Sequence, residues 1–150
     1  MSTFASIDEL KGAVGQHLGY SQWLPITQER INAFAEATDD HQWIHVDPEQ
    51  AKSGPFGTTI AHGYLTLSLA VRFLAEIFQV EGVTMGINYG SNRVRFVSPV
   101  PVGSRLRAGG VLAGVEDVPG GVQALIDLTF EIEGGDKPAC VAQVVSRLYL

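Results

Sequence analysis

The 150-residue sequence predicts an α+β domain in which an antiparallel sheet wraps a long central helix. Two observations carry this. From about Gly63 to Gln79 the chain is apolar nearly all round, with Ser68, Arg72, Glu76 and Gln79 as its only polar stripe. A helix of that kind must be buried against something large. After Gly82 come four strand-like runs, at 84–97, 104–116, 121–133 and 139–150, punctuated by Pro, Gly and Asp. The connections Val118-Pro119-Gly120-Gly121 and Gly134-Gly135-Asp136 are short, so the strands they join are expected to be antiparallel hairpins.

Taken in order, residues 6–11 form a short helix ended by Gly12, and residues 17–26 form a strand. Thr27 caps a second helix, with Glu29 in its first turn and Ile31, Phe34 and Ala35 at helical spacing. That helix stops near Thr38, because Asp39-Asp40 favours a turn. Asp47 caps a brief helix with Pro48 at its first position, and Gly54-Pro55 breaks it. Residues 53–63 are a loop rich in Gly, Thr and Ser that delivers His62 to the start of the central helix. In the third late strand Val122, Ala124, Ile126, Leu128, Phe130 and Ile132 face one way. Gln123, Asp127, Thr129, Glu131 and Glu133 face the other, with Leu125 as the exception. Four or five strands around such a helix make the hot dog arrangement, here as one domain spanning residues 1–150. Its edge strands would be open in a monomer, which predicts an edge-to-edge homodimer.

Composition narrows the function. A net charge of −6 argues against nucleic acid as the main partner. The single cysteine, Cys140, excludes an intrachain disulfide framework and fits a reducing, cytoplasmic setting. The polar start of the chain is unlike a signal peptide, and the Tyr64–Phe78 run is too short to span a bilayer and contains Arg72 and Glu76. No membrane partner is expected. The spacings of His41, His45 and His62 match no known metal motif, and no metal or separate cofactor is expected.

The chemistry-bearing stretch is FAEATDDHQWIHVDPEQAKSGPFGTTIAHG, from Phe34 to Gly63. It places titratable groups ahead of a helix whose N-terminus offers backbone donors, an arrangement suited to a carbonyl compound. Phe34 to Ala51 resembles the signature of the MaoC-like, (R)-specific enoyl-CoA hydratases. That signature is an aromatic residue, a Gly-Asp-x-Asn-Pro-aliphatic-His core, five free positions and a small residue. Asp40, Ile44, His45 and Ala51 fall in register. Ile60-Ala61-His62-Gly63, Asn92-Arg93-Val94-Arg95-Phe96 and Pro99-Val100 look like the continuation of the same family, so the likeness runs from about residue 20 to the end. Three positions depart from it: Asp39 stands for the glycine, Gln42 for the asparagine and Trp43 for the proline.

The resemblance implies hydration of trans-2-enoyl-CoA to (R)-3-hydroxyacyl-CoA by Asp40 and His45. An acid and a base sharing one water would add it across the double bond on one face. Gly63 is the expected oxyanion donor, since glycine lets a thioester carbonyl approach its N–H. Gln42, His62, Arg93 and Arg95 are candidate substrate-binding residues. The arginines would take the phosphates of coenzyme A, the substrate's own carrier, or else form a solvated strand face. His62 would otherwise only structure its loop. Two alternatives stay open, a 3-hydroxyacyl-[acyl-carrier-protein] dehydratase and a non-catalytic acyl-CoA-binding protein. A thioesterase is disfavoured, because the central helix offers only Glu76, near its far end.

Overall fold

A computed structural model describes residues 1–150. The elements are β1 (Ser2–Phe4), α1 (Ile7–Gly12), β2 (His17–Tyr20), β3 (Leu24–Pro25), α2 (Gln28–Thr38), α3 (Trp43–Val46), α4 (Pro48–Lys52), α5 (Gly63–Ser68), α6 (Ala70–Ile77), β4 (Phe78–Val80), β5 (Met85–Phe96), β6 (Arg105–Val118), β7 (Gly121–Ile132) and β8 (Pro138–Tyr149). The main sheet runs β2-β6-β7-β8-β5, with β3 also paired to β6. All its pairings are antiparallel.

The late strands form where their sequence places them. β6 turns into β7 at Val118↔Gly121, and β7 pairs with β8 from Gly121↔Tyr149 onward. The alternation in β7 sends Val122, Ala124, Ile126, Leu128 and Phe130 into the core. There they meet Phe73 and Ile77 of α6, both fully buried. The rings of Phe73 and Phe130 lie 6.0 Å apart at 60°, a tilted aromatic pair.

The central helix differs from expectation in two ways. It is interrupted at Leu69 and ends at Ile77 rather than Gln79. Ser68 Oγ donates to the Tyr64 carbonyl at 2.6 Å, the kind of back-bonding that competes with the helical ladder and bends helices. Phe78–Val80 then leaves the helix as a strand parallel to β1, a pairing of distant segments with no local sequence signal. The helix is also not covered all round, since Tyr64 and Val71 are 71% and 61% exposed.

The strand expected over 17–26 is two short strands, divided where Ser21 turns inward and its hydroxyl accepts from Ala108 N–H at 2.9 Å. The main sheet therefore has six strands rather than four or five. The one-turn helix α3 was not foreseen, because Trp43 to Val46 is too short to show a period.

Candidate active site

The site forms where α2 ends and α5 begins. α2 starts at the Thr27 cap, whose side chain accepts from Arg30 N–H. It stops at Asp39, which takes a left-handed conformation with φ 60°. This is the position of the motif's glycine, and aspartate is among the few side chains that visit that region routinely. The reversal there puts Asp40 and α3 side by side. Trp43, in place of the motif's proline, lays its ring against Gly54, where a Cβ would come within 2.8 Å of it. The bulk of Trp43 is thus accommodated outside the reacting groups.

Asp40 and His45 come together with His62. One side-chain ligand atom from each lies within 4.8 Å of the other two. Asp40 is exposed, whereas His45 and His62 are buried. His45 Nδ1 is 2.7 Å from the Ile60 carbonyl oxygen. A carbonyl only accepts, so Nδ1 carries a proton, and in the neutral ring the lone pair is on Nε2. That tautomer is the one that can act as a base through Nε2. A water hydrogen-bonded to two groups at ordinary lengths and a tetrahedral angle spans about 4.6 Å, a span that fits within a cluster of this size.

His62 packs its ring into the fold. Its ring stacks on His45 at 3.8 Å and 23°, with Phe34 at 4.9 Å on it as well. Its Nε2 donates to the Asp40 backbone carbonyl at 3.0 Å, and the Asp40 carboxylate is 4.0 Å away. Its Nδ1 is buried without a partner. Burial pushes the His62 imidazole below its usual 6.5. His62 is thus a neutral wall behind the reacting pair. The stacking also tells against a shared metal ion. Ring planes inclined by only 23° meet far beyond the ~2.0–2.1 Å reach of a metal–nitrogen bond, so their lone pairs do not converge.

Gly63 is the first residue of α5, so its N–H lies outside the intrahelical ladder. Gly63 and His45 line one cavity of about 250 Å³ with Ile60, Thr66, Phe96 and Val100. A Cβ on Gly63 would lie 3.2 Å from the Phe96 ring, a tight contact that the ring would have to yield to. Gln42 contributes its backbone to the turn. Its N–H points to Asp40 Oδ1 at 3.4 Å, and its carbonyl accepts from His45 N–H at 3.0 Å.

Arg93 and Arg95 do not join this cavity. On β5 they pair in register with Gln143 and Val141, and they line a separate pocket with Asp127 and Thr129 on the sheet face away from the helix. Strand alternation decides this, since Val94 and Phe96 take the face toward the helix. Gln28 and Thr59 are site neighbours with no sequence signal. Thr59 Oγ1 donates to Gln28 Oε1 at 2.6 Å, and Gln28 Nε2 donates to the His45 carbonyl at 2.7 Å.

A model of the MaoC like domain matches residues 9–127. The chain belongs to the MaoC-like family. It is 57% identical over 148 residues to 3-hydroxyacyl-thioester dehydratase Z of Mycobacterium tuberculosis, covering 98% of both chains. It is 44% identical over 144 residues to nodulation protein N of Rhizobium meliloti, covering 94% of this chain and 89% of that one. Among solved structures, an (R)-hydratase from A. caviae involved in PHA biosynthesis superposes with a TM-score of 0.74 at 26% identity, over 90% of this chain and 96% of that one. The MaoC-like assignment and these neighbours make the architecture the hot dog fold.

Proposed function

We propose that this chain hydrates trans-2-enoyl-CoA to (R)-3-hydroxyacyl-CoA, and runs the reverse dehydration, on a water held between Asp40 and His45. The observation that carries the reading is the Nδ1–H bond from His45 to the Ile60 carbonyl, which leaves Nε2 as a base beside the Asp40 carboxylate. The water donates one hydrogen bond to each. His45 Nε2 takes a proton as the oxygen bonds to C3, and the π pair moves onto the thioester oxygen as an enolate. Gly63 N–H stabilises that oxygen, a contribution of about 10²–10³-fold for a donor so placed. The proton then passes to C2 on the face that received the oxygen. All three groups belong to this chain, and the reverse sequence expels water.

The 57% identical relative is named for a 3-hydroxyacyl thioester without specifying its carrier. This supports the dehydration direction and leaves coenzyme A and acyl-carrier-protein carriers equally open. Arg93 and Arg95 line a pocket apart from the cavity, where they would meet the carrier rather than the reacting carbons. The working unit in this reading is a homodimer, supported by the open outer edge of β5, which pairs only with β8 and is exposed throughout.

Loss of enone absorbance from crotonyl-CoA and longer 2-enoyl-CoA esters tests the reading. Rapid loss is expected for the unmodified chain, and Asp40→Asn and His45→Ala are each expected to lower kcat by about 10²–10⁴-fold. Full activity in both variants would refute the mechanism. Turnover only with carrier-protein thioesters would move the substrate, not the chemistry.

A further inference from the structure

We propose that Gln28 is a positioning residue, a clamp that sets His45 against the loop carrying the Ile60 carbonyl, His62 and Gly63. This rests on the hydratase reading of His45 and Gly63. Gln28 is the first residue of α2, far in sequence from both segments that it joins. Its amide is used on both sides. Nε2 donates to the His45 carbonyl at 2.7 Å and to Asn32 Oδ1 at 2.9 Å, and Oε1 accepts from Thr59 Oγ1 at 2.6 Å. The orientation is forced, because turning the amide over would set Oε1 against the His45 carbonyl, which has nothing to donate.

The need for this clamp follows from the size of α3. It is a single turn, so its last carbonyls have no intrahelical partner. The His45 carbonyl is one of them, and Gln28 supplies the donor. Thr59, almost fully buried, fixes the other side. Its carbonyl accepts from Val102 N–H at 2.9 Å, the next residue's N–H donates to the Ile44 carbonyl at 3.0 Å, and Ala61 N–H reaches the Val100 carbonyl at 2.8 Å. The Gln28 side chain is thus a second hydrogen-bonded link between the segment holding the base and the segment holding the oxyanion donor, beside the bond from the His45 ring to the Ile60 carbonyl. It touches neither the reacting cavity nor its contents. Its effect passes through the distance between His45 Nε2 and the substrate, where a displacement near 1 Å can cost about 10²-fold.

The test uses the full chain with Gln28→Ala, Gln28→Glu, Thr59→Val and the Gln28→Ala/Thr59→Val double variant. Gln28→Ala is expected to lower kcat on crotonyl-CoA by about 10–100-fold with KM changed less than about threefold. The double variant should be no worse than Gln28→Ala alone, because one linkage is lost in both. Gln28→Glu keeps the acceptor for Thr59 but opposes two oxygens at His45. Its activity relative to the unmodified chain at the same pH should therefore rise as the pH is lowered and the carboxyl regains a proton to donate. The His45 Nδ1–H resonance, read by NMR without substrate, should exchange faster in Gln28→Ala.

A folded Gln28→Ala with kcat within about twofold of the unmodified chain and unchanged His45 exchange would overturn the proposal. Should Gln28→Ala fail to fold, a Gln28→Glu activity ratio flat with pH would do the same. If the unmodified chain hydrates no enoyl thioester, the hydratase reading falls, and the exchange measurement still decides whether Gln28 holds His45.

Discussion

His62 shows what a single buried residue does for the stability of the chain. Its buried ring refuses a proton that the unfolded chain accepts near 6.5. The unfolded state then binds more protons on the acid side, so stability supplied by neutral His62 is complete above 6.5 and is lost as the pH falls below it. Thermal unfolding followed from pH 8 to 5 should show the melting temperature of the unmodified chain falling more steeply than that of His62→Phe. Parallel curves would show that His62 is not buried neutral. Asp40 and His45 were legible in the sequence because their five-residue spacing is carried by a known signature. The stacking of His62 on His45 was not, because it is a product of two segments that meet only in the fold. That Arg93 and Arg95 share one strand face was legible from alternation, but which face a strand turns to the core depends on its neighbours.

Among the elements, the helix pair α5–α6 and the strand β7 hold the core together. Phe73 has no exposed surface and faces Phe130. Phe73→Ala should destabilise the chain by about 3–5 kcal/mol, read as a shift in the urea midpoint. A loss under ~1 kcal/mol would mean that the site collapses freely. The four late strands were readable to within a residue or two, because alternation and Gly/Pro turns are local signals. The parallel β1–β4 pair and the split of β2 from β3 were not, since both depend on partners far along the chain. The break at Leu69 adjoins Ser68, whose hydroxyl back-bond is invisible to a pattern of apolar positions.

On the scale of the molecule, the sheet ends in a twelve-residue strand with an open edge. Tyr89, Phe96 and Val97 on or beside it are exposed, as are Tyr64 and Val71 of the helix. Size-exclusion chromatography with light scattering is expected to give twice the 16.1 kDa chain mass. A charged residue at Val94 should shift the species toward monomer, and a monomeric unmodified chain would remove β5 as an interface. The hot dog layout itself was legible from one apolar helix followed by four strands, whereas the uncovered side of that helix was not. A sequence read as a monomer assigns all its apolar surface to its own core.

Hydration of crotonyl-CoA in D2O, with the product analysed by NMR, tests most directly whether one water between Asp40 and His45 does the chemistry. Hydroxyl and deuterium both come from one side in this mechanism. The product should be the (R)-alcohol with deuterium at C2 on the face that received the oxygen, and neither His45→Ala nor Asp40→Asn should form it at a comparable rate. Deuterium on the opposite face, or an equal mixture of the two, would contradict a single shared water.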